Sequence, residues 1–232
     1  MNSDRYATPA QLGLRPPAAL VQQLLIGAFG WMFAGLLLTA GVAYLTSTSE
    51  QLIIAVARGW FVLVILQLGL GIGIQVAIRR VSPTISLGLF FVYAASIGLT
   101  LGVIVPLYTG ESVASAFLTA SGMFAAAAVY GAVTKRSLAG IGGLASMAVI
   151  GLVIAIFVNM LLASSVLGWI ISLLGVVLFT VLTAYDTQKI VNGEYAAMTG
   201  SQERASILAA LHLYLNFINM FMFLLRLTGS RR

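Results

Sequence analysis

Few side chains in this sequence can do chemistry, and most of them fall in its last quarter, from about Gly168 to Leu227. There an apolar run carries one carboxylate near its end, Asp186, within the segment TAYDTQKI. A polar stretch follows, and then a second apolar run, ILAALHLYLNFINMFMFLLRL, which holds the only histidine of the chain, His212, and two asparagines, Asn216 and Asn219. His212, Asn216 and Asn219 stand at i, i+4 and i+7, which puts them on one stripe of a helix. A polar stripe is expensive in hydrocarbon, so it is expected to face protein or a water-filled cavity. Asp186 is the only acidic residue inside any apolar run.

A carboxylate in such a place suits a proton site or a cation gate. Desolvation favours its neutral form and a nearby guanidinium its charged form, so the two influences oppose one another. The simpler alternative is an interfacial Asp that pairs with Lys189, three residues on, as ordinary helix-end chemistry. Other chemistries lack their residues. There is no cysteine, no HExxH and no second histidine, so no resident metal or cofactor is expected. There is no GxSxG motif, no second membrane aspartate for a protease dyad, and no lysine inside the last run for a Schiff base. The chain is therefore not expected to be an enzyme. The run LGLGIGI follows no strand and opens no helix, which argues against a nucleotide-binding loop. Tyr185, Tyr214, Phe217 and Phe221 read as core or lipid-facing aromatics.

The elements that must position these residues follow from composition. Of 232 residues, 60% are hydrophobic and 8% charged, and the mean hydropathy is +1.05. That is a multi-pass membrane protein and not a soluble core. Apolar runs fall at about 20–44, 59–78, 84–106, 113–133, 139–163, 166–188 and 207–227. Each is near the ~20 residues that cross a bilayer, and none alternates like a barrel strand. The expected fold is thus all-α, with a short polar tail over residues 1–18 and one transmembrane domain of seven helices over 19–228. Gly69 with Gly73 and Gly98 with Gly102 have the spacing at which helix backbones approach closely. Pro106 is expected to end or kink the third helix.

The net charge of +6 sits mainly at the ends of these runs. With a cytoplasmic N-terminus, the inside segments hold Arg5, Arg15, Arg79, Arg80, Lys135, Arg136, Lys189 and Arg204, against Arg58 alone in the outside loops. That is a topology signal; no alternation of basic and aromatic residues suggests nucleic acid. Seven full crossings place Arg226, Arg231 and Arg232 outside, whereas a re-entrant last helix returns them inside. Drawn this way, Arg80, Asp186 and Asn216 share the cytoplasmic half of the membrane.

The segments TAYDTQKI and LHLYLNFINMFMFLLRLTG resemble the Bax inhibitor family, also called the transmembrane Bax inhibitor motif or lifeguard group, and the likeness covers nearly the whole chain beyond the tail. The resemblance implies a bundle whose seventh helix is central and wrapped by the other six. It also implies a pH-sensitive calcium leak, and an N-terminus with no transit pattern fits the plasma (inner) membrane of a bacterium. In members studied as channels, two aspartates near the cytoplasmic side share a proton and an arginine latches the closed state. Asp186 matches the first aspartate and Arg80 the arginine, and a passing calcium ion would touch Asp186. Where members commonly read LYLDFIN this chain reads LYLNFIN, so Asn216 replaces the second aspartate. An Asp–Asn pair cannot share a proton between like charges, and it offers a divalent cation one charge fewer. His212, one turn earlier on the same face, is the remaining group able to titrate. Three functions stay open: a leak channel for calcium or another cation gated at Asp186, a proton-coupled small-solute transporter, and a non-conducting scaffold for membrane proteases or other membrane-protein partners.

Overall fold

A computed structural model describes residues 16–231; Arg5, Arg15 and Arg232 lie outside the described residues. Among those described, nine α-helices account for nearly all of the chain, and the only sheet-like pairing is an isolated antiparallel bridge between Tyr108 and Arg231. They are α1 (Ala18–Ser47), α2 (Glu50–Arg58), α3 (Trp60–Ala77), α4 (Pro83–Ile104), α5 (Gly110–Val133), α6 (Ala139–Leu162), α7 (Ser165–Val191), α8 (Glu194–Thr199) and α9 (Gln202–Thr228). All but α2 and α8 are long and apolar enough to cross a membrane. The seven expected spans are therefore all present.

The boundaries follow local chemistry. Ser49 caps α2 by accepting from the Leu52 amide, with Glu50 in its first turn and Arg58 in its last, where both complement the helix dipole. At nine residues α2 is too short to cross, and it occupies what the hydropathy pattern leaves as a loop. Ser82 caps α4, with Pro83 in the first turn, and a 3-10 turn at Val105–Leu107 ends that helix around Pro106. Between α6 and α7 the chain reverses in two residues. Ala163 adopts the left-handed conformation, φ 50°, and the Asn159 side chain accepts from the Ser164 amide. The stretch before the last span is not a plain loop, since α8 lies in it, and α9 begins at Gln202, five residues before the expected start.

The chain forms two compact units, one comprising the described residues up to Leu107 with Ile190–Tyr214, the other Tyr108–Lys189 with the residues from Leu215 on. In the first, α1 packs on α4. A Cβ on Gly98 would meet Val42 and the Thr39 carbonyl, and one on Gly102 would meet Thr46 and the Ala43 carbonyl, so this glycine pair lets two backbones touch. Gly69 and Gly73 have the same spacing but face open space. The hydroxyl of Thr39 donates to the Ala94 carbonyl at 2.9 Å and pairs with that of Tyr214 at 2.7 Å. Gln67 ties α3 to α4 by donating to the Ser96 carbonyl and to Thr100.

In the second unit, Phe117 and Phe124 meet Phe217 edge-on, and Phe179 stacks on Phe223. The two ends of α5 are fixed differently. At its start, the Thr109 amide donates to the Ser230 carbonyl, the Ser230 amide to the Ser112 hydroxyl, and Arg231 lies over the Tyr108 ring. At its finish, the loop to α6 is bonded by Gln188 of α7. The C-terminal end of α9 therefore lies at the opposite end of this unit from Lys135 and Arg136.

Candidate functional site: a buried carboxylate–amide pair

Asp186 is 4% exposed and Asn216 4% exposed. The Asn216 Nδ2 donates to the Asp186 Oδ2 at 2.8 Å, so the carboxylate of α7 and the amide of α9 form a direct bond between two spans. Contacts at four of the five residues from Ala184 to Gln188 hold the end of α7 in place. Gly131 of α5 sits against the Ala184 backbone, and Gly142 of α6 faces the Tyr185 ring, both so close that any side chain would collide. Asp186 is held by α9, and Gln188 by the α5–α6 loop. The hydroxyls of Thr183 and Thr187 fold back onto carbonyls of their own helix at Phe179 and Thr183. The carboxylate is thus presented by a rigid helix end and not by a loop.

The rest of the polar stripe is divided. The Asn219 amide turns back to the Leu215 carbonyl of its own helix at 2.8 Å. His212 belongs to the first unit; it is half-buried, with its ring 5.6 Å from that of Tyr195 in α8. Arg80 also belongs to the first unit and is exposed in the turn after α3. Lys189 lies with its Nζ 5.3 Å from the centre of the Tyr185 ring. Tyr214, Phe217 and Phe221 are buried and Tyr185 half-buried, as core aromatics should be.

Sequence reasoning overlooked Gln188, which is buried and makes two bonds to backbone across the α5–α6 loop. The signal was available: an amide two residues after the carboxylate, near the end of an apolar run, needs a partner. Gln67, a lone amide in the middle of α3, carried the same signal. Among the described residues no three His, Cys, Asp or Glu side chains come together as a metal site. The pair itself offers two carboxylate oxygens and one amide oxygen. Calcium takes six to eight oxygens, more than this set supplies.

Seven apolar helices and a carboxylate buried between two of them define the class: an integral membrane protein of helical-bundle type. Residues 21–232 match the family described as inhibitor of apoptosis-promoting Bax1, and the chain belongs to this Bax inhibitor family. It is 42% identical over 235 residues to the inner membrane protein YbhL of Escherichia coli, covering 99% of this chain and 100% of that protein. An uncharacterised protein of Deinococcus radiodurans is 43% identical over 212 residues, covering 91% and 92% of the two chains. One of Borreliella burgdorferi is 38% identical over 215 residues, covering 90% and 93%.

Proposed function

We propose that the protein is a cation leak pathway of a bacterial inner membrane, permeable to calcium and gated at Asp186. The observation that carries this reading is the buried bond from Asn216 to Asp186. It links two spans through a group whose hydrogen-bonding character changes with its proton. Ionised, Asp186 only accepts; protonated, it can also donate. A bond to the ionised form is charge-assisted and roughly twice as strong, so protonation loosens the link and favours the open state. Flux is therefore expected to rise as pH falls. The inner-membrane placement is supported by the similarity to YbhL, and a cytoplasmic N-terminus by the distribution of basic residues. The family's arginine latch falls to Arg80, and His212 is the other group whose proton could tune the pathway.

Calcium uptake into liposomes reconstituted with the pure protein tests the proposal. Uptake should exceed that of empty liposomes and should respond to pH in one step. Asn216→Asp places two carboxylates in one poorly solvated site, where they share a proton, so its profile should be steeper and its retention of calcium stronger. Arg80→Ala should leak more at neutral pH. Absence of uptake at any pH refutes calcium conduction and leaves the proton-coupled transporter and the non-conducting scaffold as the remaining accounts. Superimposable profiles for the parent, Asn216→Asp and His212→Ala refute gating at this pair.

A further inference from the structure

A second feature of the Tyr108–Lys189 unit faces outward. The loop between α5 and α6, residues 134–138, carries Lys135 and Arg136, both exposed. Such a loop would ordinarily be loose, but this one is anchored along its length. The buried Gln188 side chain accepts from the Leu138 amide at 2.8 Å and donates to the Arg136 carbonyl at 2.8 Å. The Arg136 amide donates to the Thr134 hydroxyl at 3.4 Å, and the Leu138 side chain is buried with Ala127, Ala184 and Tyr185. Beside the loop, Lys189 extends over the Tyr185 ring. Two exposed cations and a third, half-buried one are thus set on fixed backbone at one end of the unit. The acidic residues of this unit are Glu111, at the start of α5, and the buried Asp186. The charge at this end is therefore predominantly positive.

We propose that this loop, with the end of α7, seats the headgroup of an anionic phospholipid. The loop stands between two spans, so it lies at the level where headgroups begin. The adjoining turns of α5 and α6 expose Val129, Val133, Ile141 and Leu144, which give apolar surface for the acyl chains directly beside the cations. That combination of pinned positive charge and open hydrocarbon surface fits a lipid and not a soluble anion. A lysine laid over an aromatic ring keeps its stem in the apolar zone and its charge at the interface. The inference stands whether or not the protein conducts ions.

The test uses the full chain in a mild non-ionic detergent, titrated with short-chain phosphatidylglycerol or phosphatidylcholine and read by native mass spectrometry. Phosphatidylglycerol should bind and phosphatidylcholine should not. Each basic residue near a membrane surface contributes about fivefold to the attraction of an anionic lipid, so Lys135→Ala with Arg136→Ala should weaken binding about thirtyfold. Exchanging the two as Lys135→Arg with Arg136→Lys should restore most of it. Arg58→Ala with Arg79→Ala removes the same charge elsewhere and should leave binding near that of the parent. Gln188→Leu changes no charge but frees the loop, and should weaken binding several-fold while the thermal midpoint confirms that the variant is folded. If Gln188→Leu does not fold, the two alanine pairs decide the matter. Equal losses in the two alanine pairs would mean unlocalised attraction and overturn the site. So would equal binding of the two lipids, or full competition by free glycerol phosphate.

Discussion

If the Asn216 amide holds the Asp186 carboxylate as drawn, the two residues must be energetically coupled. Leucine is the suitable replacement for both, because it keeps roughly the volume while removing the polar atoms. Asn216→Leu takes a donor from a buried carboxylate, and Asp186→Leu takes the acceptor from a buried amide; the double variant removes both. The magnitude depends on the charge state. Hydrogen bonds between membrane helices average about 0.6 kcal/mol in double-mutant cycles and reach about 1.7. Bonds to charged groups contribute about 1.5–3 kcal/mol. At 2.8 Å, with both residues 4% exposed, solvent screens little, and a coupling of about 1.5 kcal/mol is expected at neutral pH. The assay is reversible unfolding of the parent, the two single variants and the double variant in mixed micelles of increasing denaturing detergent. A coupling near 0.6 kcal/mol would indicate a neutral pair and remove the charge-assisted step from the gating argument. Additive losses, with no coupling, would refute the link between α7 and α9 altogether.

Gly98→Ala should lower the unfolding midpoint, with a loss of about 1–3 kcal/mol, because its Cβ would meet the Thr39 backbone carbonyl as well as Val42. Gly73→Ala, at a position facing open space, should be neutral or stabilising by up to about 1 kcal/mol through helix propensity, read by the same unfolding assay. Ala163→Gly should stabilise by about 0.5 kcal/mol, since relief of a left-handed alanine, about 1–2 kcal/mol, outweighs the added freedom of the unfolded chain. Gln188→Leu should raise amide hydrogen exchange at Leu138 and speed proteolysis at Lys135 and Arg136, because the loop loses both of its bonds to α7. Unchanged exchange would show that burial of Leu138 alone holds the loop.

The seven spans were legible because lipid imposes long apolar runs whatever the packing within. The partnership of Asp186 with Asn216 was also within reach, since both are polar residues that hydrocarbon would punish. What could not be read was which neighbour each polar group would find. His212, Asn216 and Asn219 share one face by spacing, yet one lies beside a tyrosine ring, one bonds a carboxylate and one returns to its own backbone. The two glycine pairs make the same point. Spacing shows where a backbone could be approached, but only the packing decides that something comes there, as at Gly98 and not at Gly73. The short helices α2 and α8 escaped because hydropathy averages over longer windows, while their formation depends on local features such as the Ser49 cap.

The burial of α9 has a consequence for how the protein is made. Its most apolar 18-residue window is 78% buried, against 11–39% for the other six spans. A helix so placed has little of its surface left for lipid, and its residues are chosen for neighbours: Tyr214 for Thr39, Asn216 for Asp186, Phe217 for Phe117 and Phe124. During synthesis, however, α9 emerges after the six spans that precede it. Until it docks, the Asp186 carboxylate lacks its amide and the Tyr214 hydroxyl its threonine, each in or near hydrocarbon. The end of α7 must therefore wait in the membrane for the amide that only α9 brings. Quality-control machinery that recognises exposed polar groups within the bilayer would have its best opportunity in that interval, and a chain that stalled before α9 would be marked by the groups α9 normally covers.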